Sequence, residues 1–110
     1  MAQYLDAISV EVTEASGLEK DRFAGMDGAL PAASALSVGV CIYGSPLGAQ
    51  APLVVCGKVG VEAGAAVAVG DLVATDANGR AITAPSAAVA VGFAVSASAQ
   101  AEEVISVVLR

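Results

Sequence analysis

The run VEAGAAVAVGDLVATDANGRAITA, residues 61–84, constrains the fold more than any other part of the chain, because it writes β-structure in residues that could have made a helix. Alanine is the best helix former, yet here it alternates with valine, whose branched Cβ resists the helix and favours a pleated strand. Gly64 and Gly70 interrupt a helical reading, and Asp76-Ala77-Asn78-Gly79 supplies turn residues between two short apolar runs. The pattern predicts strand, turn and strand, with very small side chains on the strands. Such a surface suits close backbone packing or subunit contact better than a deep ligand pocket, which needs bulk and convergent polar groups.

At 110 residues the chain is one domain, and a domain of this size hides roughly two thirds of its unfolded surface. Its apolar fraction of 56% rests on 25 alanines and 17 valines, with two Tyr, two Phe and no Trp. At about 25 cal/mol per Å² of apolar area, such a core contributes less than one of Leu and Phe. Association with copies of itself, or with a larger partner, would supply the difference. The net charge of −6 and the pI near 4.2 argue against a nucleic-acid partner, since phosphate contacts need clustered Lys and Arg. No stretch reaches the roughly 20 uninterrupted apolar residues of a membrane span. The start MAQYLDAIS lacks the basic and apolar segments of an export signal, so the expectation is a soluble chain made in a cytoplasm.

Along the chain, residues 1–7 show no period and read as an N-terminal arm, with a single β-rich domain over 8–110. Ile8, Val10 and Val12 alternate with Ser9, Glu11 and Thr13, as in a half-buried strand. Asp27-Gly28 predicts a hairpin between residues 23–26 and 29–32, with Pro31 confining the second arm to an edge. Apolar runs at 36–43 and 53–61 flank a loop bearing Gly44, Pro46, Gly48 and Pro52, and Gly39, Gly57 and Gly60 inside them mark bulges or close backbone approach. Paired as a hairpin centred near Gly48-Ala49, these runs set Cys41 opposite Cys56. A cross-strand disulfide then competes with two buried free thiols, and a reducing compartment favours the thiols. Val89, Val91, Phe93 and Val95 share one face of a further strand, and Ile105, Val107 and Leu109 one face of the last. An alanine-rich helix over 86–101 is the rival reading, opposed by Gly92 and the alternating valines. Many short strands at nearly regular spacing favour an all-β barrel or sandwich.

Catalytic groups are sparse. There is no histidine, the commonest general acid or base, and two cysteines alone make no zinc site. Glu11, Glu14, Glu19, Asp21, Glu102 and Glu103 occupy turns or polar strand faces, where solvated carboxylates are ordinary. Gly57-Lys58-Val59-Gly60 lacks the spacing and helix of a phosphate loop, and Lys58 reads as an exposed or edge-strand lysine. Asp71, Asp76 and Asn78 read as turn residues rather than calcium ligands. A biotinyl or lipoyl carrier also uses Val-Gly-Asp-x-Val turns, but the tip at residues 76–80 has no lysine to modify. Neither an enzyme nor a cofactor is expected.

In their order and spacing, Ile8 to Thr13, Lys20-Asp21-Arg22-Phe23 with Asp27-Gly28-Ala29, Leu36-Ser37-Val38-Gly39-Val40, Val61-Glu62-Ala63-Gly64-Ala65, Val69-Gly70-Asp71, Asp76 to Ala81, Val91-Gly92-Phe93-Ala94 and Val104 to Leu109 resemble the capsid cement, or head decoration, proteins of tailed bacteriophages. The resemblance implies a small β-barrel or β-sandwich of the β-tulip or β-clip kind with an extended N-terminal arm. It implies a structural virion protein on the outer capsid surface, a homotrimer at three-fold and quasi-three-fold positions that braces the expanded head against packaged DNA. The major capsid protein is the implied partner, and the N-terminal segment the implied contact. Residues 1–13 are therefore the candidate capsid-binding region, with Tyr4, Leu5, Ile8, Val10 and Val12 as its side chains. The chain departs from the resemblance in residues 1–7 and in 99–103, where a glycine turn is expected. The alternative is a virion-displayed carbohydrate- or host-surface-binding module, for which Tyr4 and Tyr43 are the available polar-tipped aromatics.

Overall fold

The computed structural model of the protein describes residues 3–36 and 38–109, with side chains described from residue 7 onward. Eight strands follow one another: β1 (Gln3–Glu11), β2 (Arg22–Gly25), β3 (Val38–Cys41), β4 (Gln50–Glu62), β5 (Leu72–Thr75), β6 (Ala81–Thr83), β7 (Gly92–Ala94) and β8 (Val104–Leu109). Among the described residues the only helical segment is a single 3-10 turn at Ala87–Val89. The alanines thus enter strands and turns, where alternating valine and tertiary packing outweigh their helix propensity.

All eight strands belong to one antiparallel sheet with the path β2-β3-β4-β8-β7-β5-β6, and β1 joins it on β4. The 13-residue β4 organises the sheet. Leu53 and Val54 face β1 on one side and β3 on the other, while Gly57 and Lys58 face β1 and β8. β3 and β8 therefore follow one another along one edge of β4, with β1 along the opposite edge. Register shifts in the β1–β4 ladder fall opposite Gly57 and Val55, so the expected bulge at Gly57 is present.

The sheet curls until its ends nearly meet, giving a barrel-like body. At the seam the Phe23 N–H of β2 donates to the Gly79 carbonyl in the β5–β6 turn at 2.6 Å, and the Glu62 N–H donates to the Asp21 carbonyl at 2.7 Å. Ion pairs reinforce the seam. Glu62 Oε2 lies 3.2 Å from Arg22 Nη2 and 2.8 Å from Arg80 Nε, and Arg22 reaches Glu19 at 2.7 Å. Arg80 Nε makes its contact off the N–H direction, as an ion pair rather than a hydrogen bond.

Inside the barrel pack Phe23, Val40, Val54, Val59, Val61, Val73, Ile105 and Val107, all essentially inaccessible. A smaller cluster of Val12, Leu18, Ala24, Cys41, Ala51 and Leu53 fills the end next to β1. β8 alternates as its sequence predicts, with Ile105, Val107 and Leu109 inward. In β7 the inward residues are Gly92 and Ala94, while Phe93 is half-buried and Val95 exposed.

Three further expectations change. Asp27-Gly28 does form a tight turn, with the Gly25 N–H donating to the Ala29 carbonyl at 2.9 Å. Residues 29–32 form no strand, however, and β2 pairs with β3 instead; Pro31, buried and without an N–H, cannot extend a ladder. Lys58 is half-buried and not on an edge strand, since β1 and β8 flank it. Finally, the β3–β4 register pairs Cys41 with Leu53, three residues short of Cys56. The hairpin turns earlier than the loop's midpoint suggests, because this register sets Leu53 beside Cys41 and Val54 beside Val40, each pair within one of the two core clusters. Cys56 lies opposite Asp6 instead, and both cysteines are free.

Candidate functional site

The candidate contact region is β1, which starts at Gln3, so residues 3–7, read from sequence as an arm, run within a strand paired to β4. Exposure falls along it. Ile8 is 41% exposed, Val10 half-buried and Val12 fully buried. The strand is anchored at its C-terminal end, where Val12 packs with Leu18 and Leu53, and its ladder with β4 continues to Gln3. Of the five candidate side chains, Ile8 is presented to solvent and Val10 partly so. Val12 holds the strand down. The side chains of Tyr4 and Leu5 lie outside the described ones, although their backbone belongs to β1.

Sequence reasoning did not anticipate which backbone groups of β1 point outward. The Val12 N–H donates to the Ala49 carbonyl at 2.9 Å, so in the β1–β4 register the bonded pairs are Val12/Ala49, Val10/Ala51 and Ile8/Leu53. Pro52 agrees with this phase. Having no N–H, it sits opposite Ser9 as a non-bonded pair, and its carbonyl accepts instead from the Ile42 N–H beyond β3. The N–H and C=O of Ala7, Ser9 and Glu11 therefore point away from β4. At Glu11 that edge is stoppered. Gly28 backs directly onto the Glu11 carbonyl oxygen, leaving no room for a Cβ, and its own carbonyl accepts from the Thr13 N–H at 2.9 Å. From Ala7 to Ser9 no described backbone group pairs with the outer edge, and all three residues are exposed.

The remaining polar groups serve the fold. Asp76 Oδ1 accepts from the Asn78 and Arg80 N–H groups at 2.9 and 2.8 Å, which closes the β5–β6 turn. Asp71 accepts from the Ala68 N–H, Glu14 from the Leu30 N–H, and Glu103 from the Ala99 and Gln100 N–H groups. Among the described residues no group of three His, Cys, Asp or Glu could hold a metal ion. Burial pushes the Cys41 thiol above its ordinary value of 9.0; a backbone hydrogen bond with Tyr43 acts against this, and Asp21 adds to it. Tyr43 is 65% exposed.

Two concavities of the surface are open and lined mainly by apolar residues. One of about 260 Å³ lies between Leu36, Val38, Val55, Val91 and Leu109, where β3 and β8 leave a gap along β4. Another of about 330 Å³ lies beside the Asp27-Gly28 turn, among Met26, Leu30 and Pro31. Neither is lined by a cluster of titratable groups.

The chain is similar in structure to the N-terminal base of the head fiber gp8.5 of bacteriophage phi29, with a TM-score of 0.74 at 19% identity over 96% of this chain and 95% of that one. At that identity the likeness is one of fold. No curated protein matches the chain. The phage cement protein family, in contrast, matches residues 2–109. A match over nearly the whole length, on an all-β body with a presented edge strand, settles the affiliation: the chain belongs to the phage cement proteins, capsid-associated structural proteins of the virion.

Proposed function

We propose that the protein binds the outer surface of the expanded phage head as a trimer, at three-fold and quasi-three-fold positions, and stabilises the shell against the pressure of packaged DNA. Membership of the cement family over residues 2–109 is the observation that carries this reading. The surface is consistent with it: carboxylates closing turns, a net charge of −6, and a strand exposed from Ala7 to Ser9. Residues 1–13 make the contact with the major capsid protein, with Ile8 and Val10 as its described accessible side chains. The mechanism is mass action, because a ligand that binds only the mature lattice lowers the free energy of that lattice. Expanded heads assembled without the protein, titrated with it and then heated, test the proposal. Saturable occupancy in multiples of three, with rupture moved to higher temperature, is expected. Heads that bind none of it, or rupture at the same temperature when fully occupied, would overturn it.

A further inference from the structure

We infer that the outer edge of β1 at Ala7 and Ser9 is a strand-addition site, and that its occupant is a short extended segment of the shell protein without acidic side chains. This rests on the capsid-binding reading above and specifies how that contact is made. Two residues whose N–H and C=O both face outward offer four backbone hydrogen bonds in the spacing of a β-ladder. Exposed edges are ordinarily guarded by lysine, proline, an inward charge or a covering loop. Here the turn at Gly28 covers the edge only from Glu11 onward, and Ala7-Ile8-Ser9-Val10 carries neither charge nor proline. Four unguarded residues in a soluble strand mark a place kept for a partner.

Charge and symmetry decide which partner. Asp6 and Glu11 bracket the open stretch, so pairing two copies of β1 would gather four carboxylates between chains that each carry −6. Antiparallel pairing of identical edges is also two-fold and closes a dimer, which cannot build the proposed trimer. A neutral or basic strand from another protein meets neither obstacle. It would place small side chains beside Ala7 and Ser9 on one face, and an apolar one against the exposed Ile8 on the other.

The geometry gives a selective test. The Ser9 N–H makes no bond to β4, so Ser9→Pro removes a donor from the free edge and leaves the ladder beneath intact. Ser9→Ala removes only the hydroxyl and its 2.9 Å bond to Gln50 Oε1. With undecorated expanded heads as the probe, Ser9→Pro should bind at least about tenfold more weakly than wild type, and Ser9→Ala within about twofold. Hydrogen exchange supplies a readout without mutation. On heads, the Ala7 and Ser9 amides should gain protection, whereas those of Ile8 and Val10 are already protected by β4 in the free protein. A folded Ser9→Pro that binds like wild type, or amides at Ala7 and Ser9 that exchange equally fast on heads, overturns the edge site and leaves the capsid reading standing. Protection at these amides that grows with concentration in free protein overturns the choice of partner. Wild type that fails to bind heads overturns both readings together.

Discussion

Two residues with the same side chain occupy opposite situations in this small domain. Cys41 is buried in the cluster beneath β1, its thiol donating to the Tyr43 carbonyl, whereas Cys56 is half-buried on β4. Burial is the main reason the Cys41 thiol holds its proton above the ordinary 9.0. The sign for stability follows. In the unfolded chain this thiol ionises at its ordinary value, and in the folded protein only at higher pH, so between those values the native state binds more protons. Its contribution is complete below about pH 8.5 and is lost as pH rises past 9, with a slope of up to about 1.4 kcal/mol per pH unit. Urea unfolding of wild type and Cys41→Ala at intervals from pH 7 to 10 measures it. The two stability curves should converge above pH 9, and curves that stay parallel would show that Cys41 contributes nothing to the alkaline loss.

Among the elements, the β5–β6 hairpin does more than pair two strands, because its turn closes the barrel on β2. Gly79 sits there at φ +77°, with its carbonyl on the Phe23 N–H and the Phe23 carbonyl oxygen filling the place where a Cβ would stand. Gly70 has a similar backbone, φ +88°, but open space around it. Gly70→Ala should therefore cost only the left-handed strain, about 1 kcal/mol, and Gly79→Ala about 3 kcal/mol or more, since the seam must also part. Thermal unfolding of the two variants separates strain from closure; equal losses would mean that the seam bears no load. The turn itself was legible, since Asp76-Ala77-Asn78-Gly79 between apolar runs has few other uses. So were β8, from strict alternation, and β4 as a long apolar run. The seam was not, because it joins Phe23 and Glu62 to Gly79 and Arg80, and no local pattern marks contacts between residues so far apart in the chain. Residues 99–103 show another limit. The glycine turn expected there is made without glycine: Glu102 takes φ +73°, its N–H held by the Ala63 carbonyl, while Glu103 caps Ala99 and Gln100. At the candidate site, residues 1–7 read as patternless because β1 carries two register shifts near Asp6 that break its period of two. The outward phase of Ala7 and Ser9 became visible only through the register with Pro52.

At the scale of the whole molecule, the interior is filled by small residues. Among the described residues, six alanines and nine valines are buried, against one phenylalanine. Meanwhile Val69 at 65%, Val104 at 58% and Val95 at 37% remain exposed near the β7–β8 side of the barrel. In the proposed trimer, contacts with neighbours would cover such aliphatic side chains and add to the stability of each subunit. In a trimer that unfolds as it dissociates, the stability per subunit depends on two thirds of RT times the logarithm of concentration. A hundredfold rise in protein is then worth roughly 1.8 kcal/mol per subunit, and a domain of this size converts that into a Tm higher by several degrees. Scanning calorimetry across that concentration range, beside sedimentation of the same samples, gives the measurement. A Tm that climbs with concentration in a sample sedimenting as a trimer places part of the folding energy between subunits. A Tm that stays flat would mean that the alanine and valine core suffices, and that assembly begins only where the lattice holds three copies together.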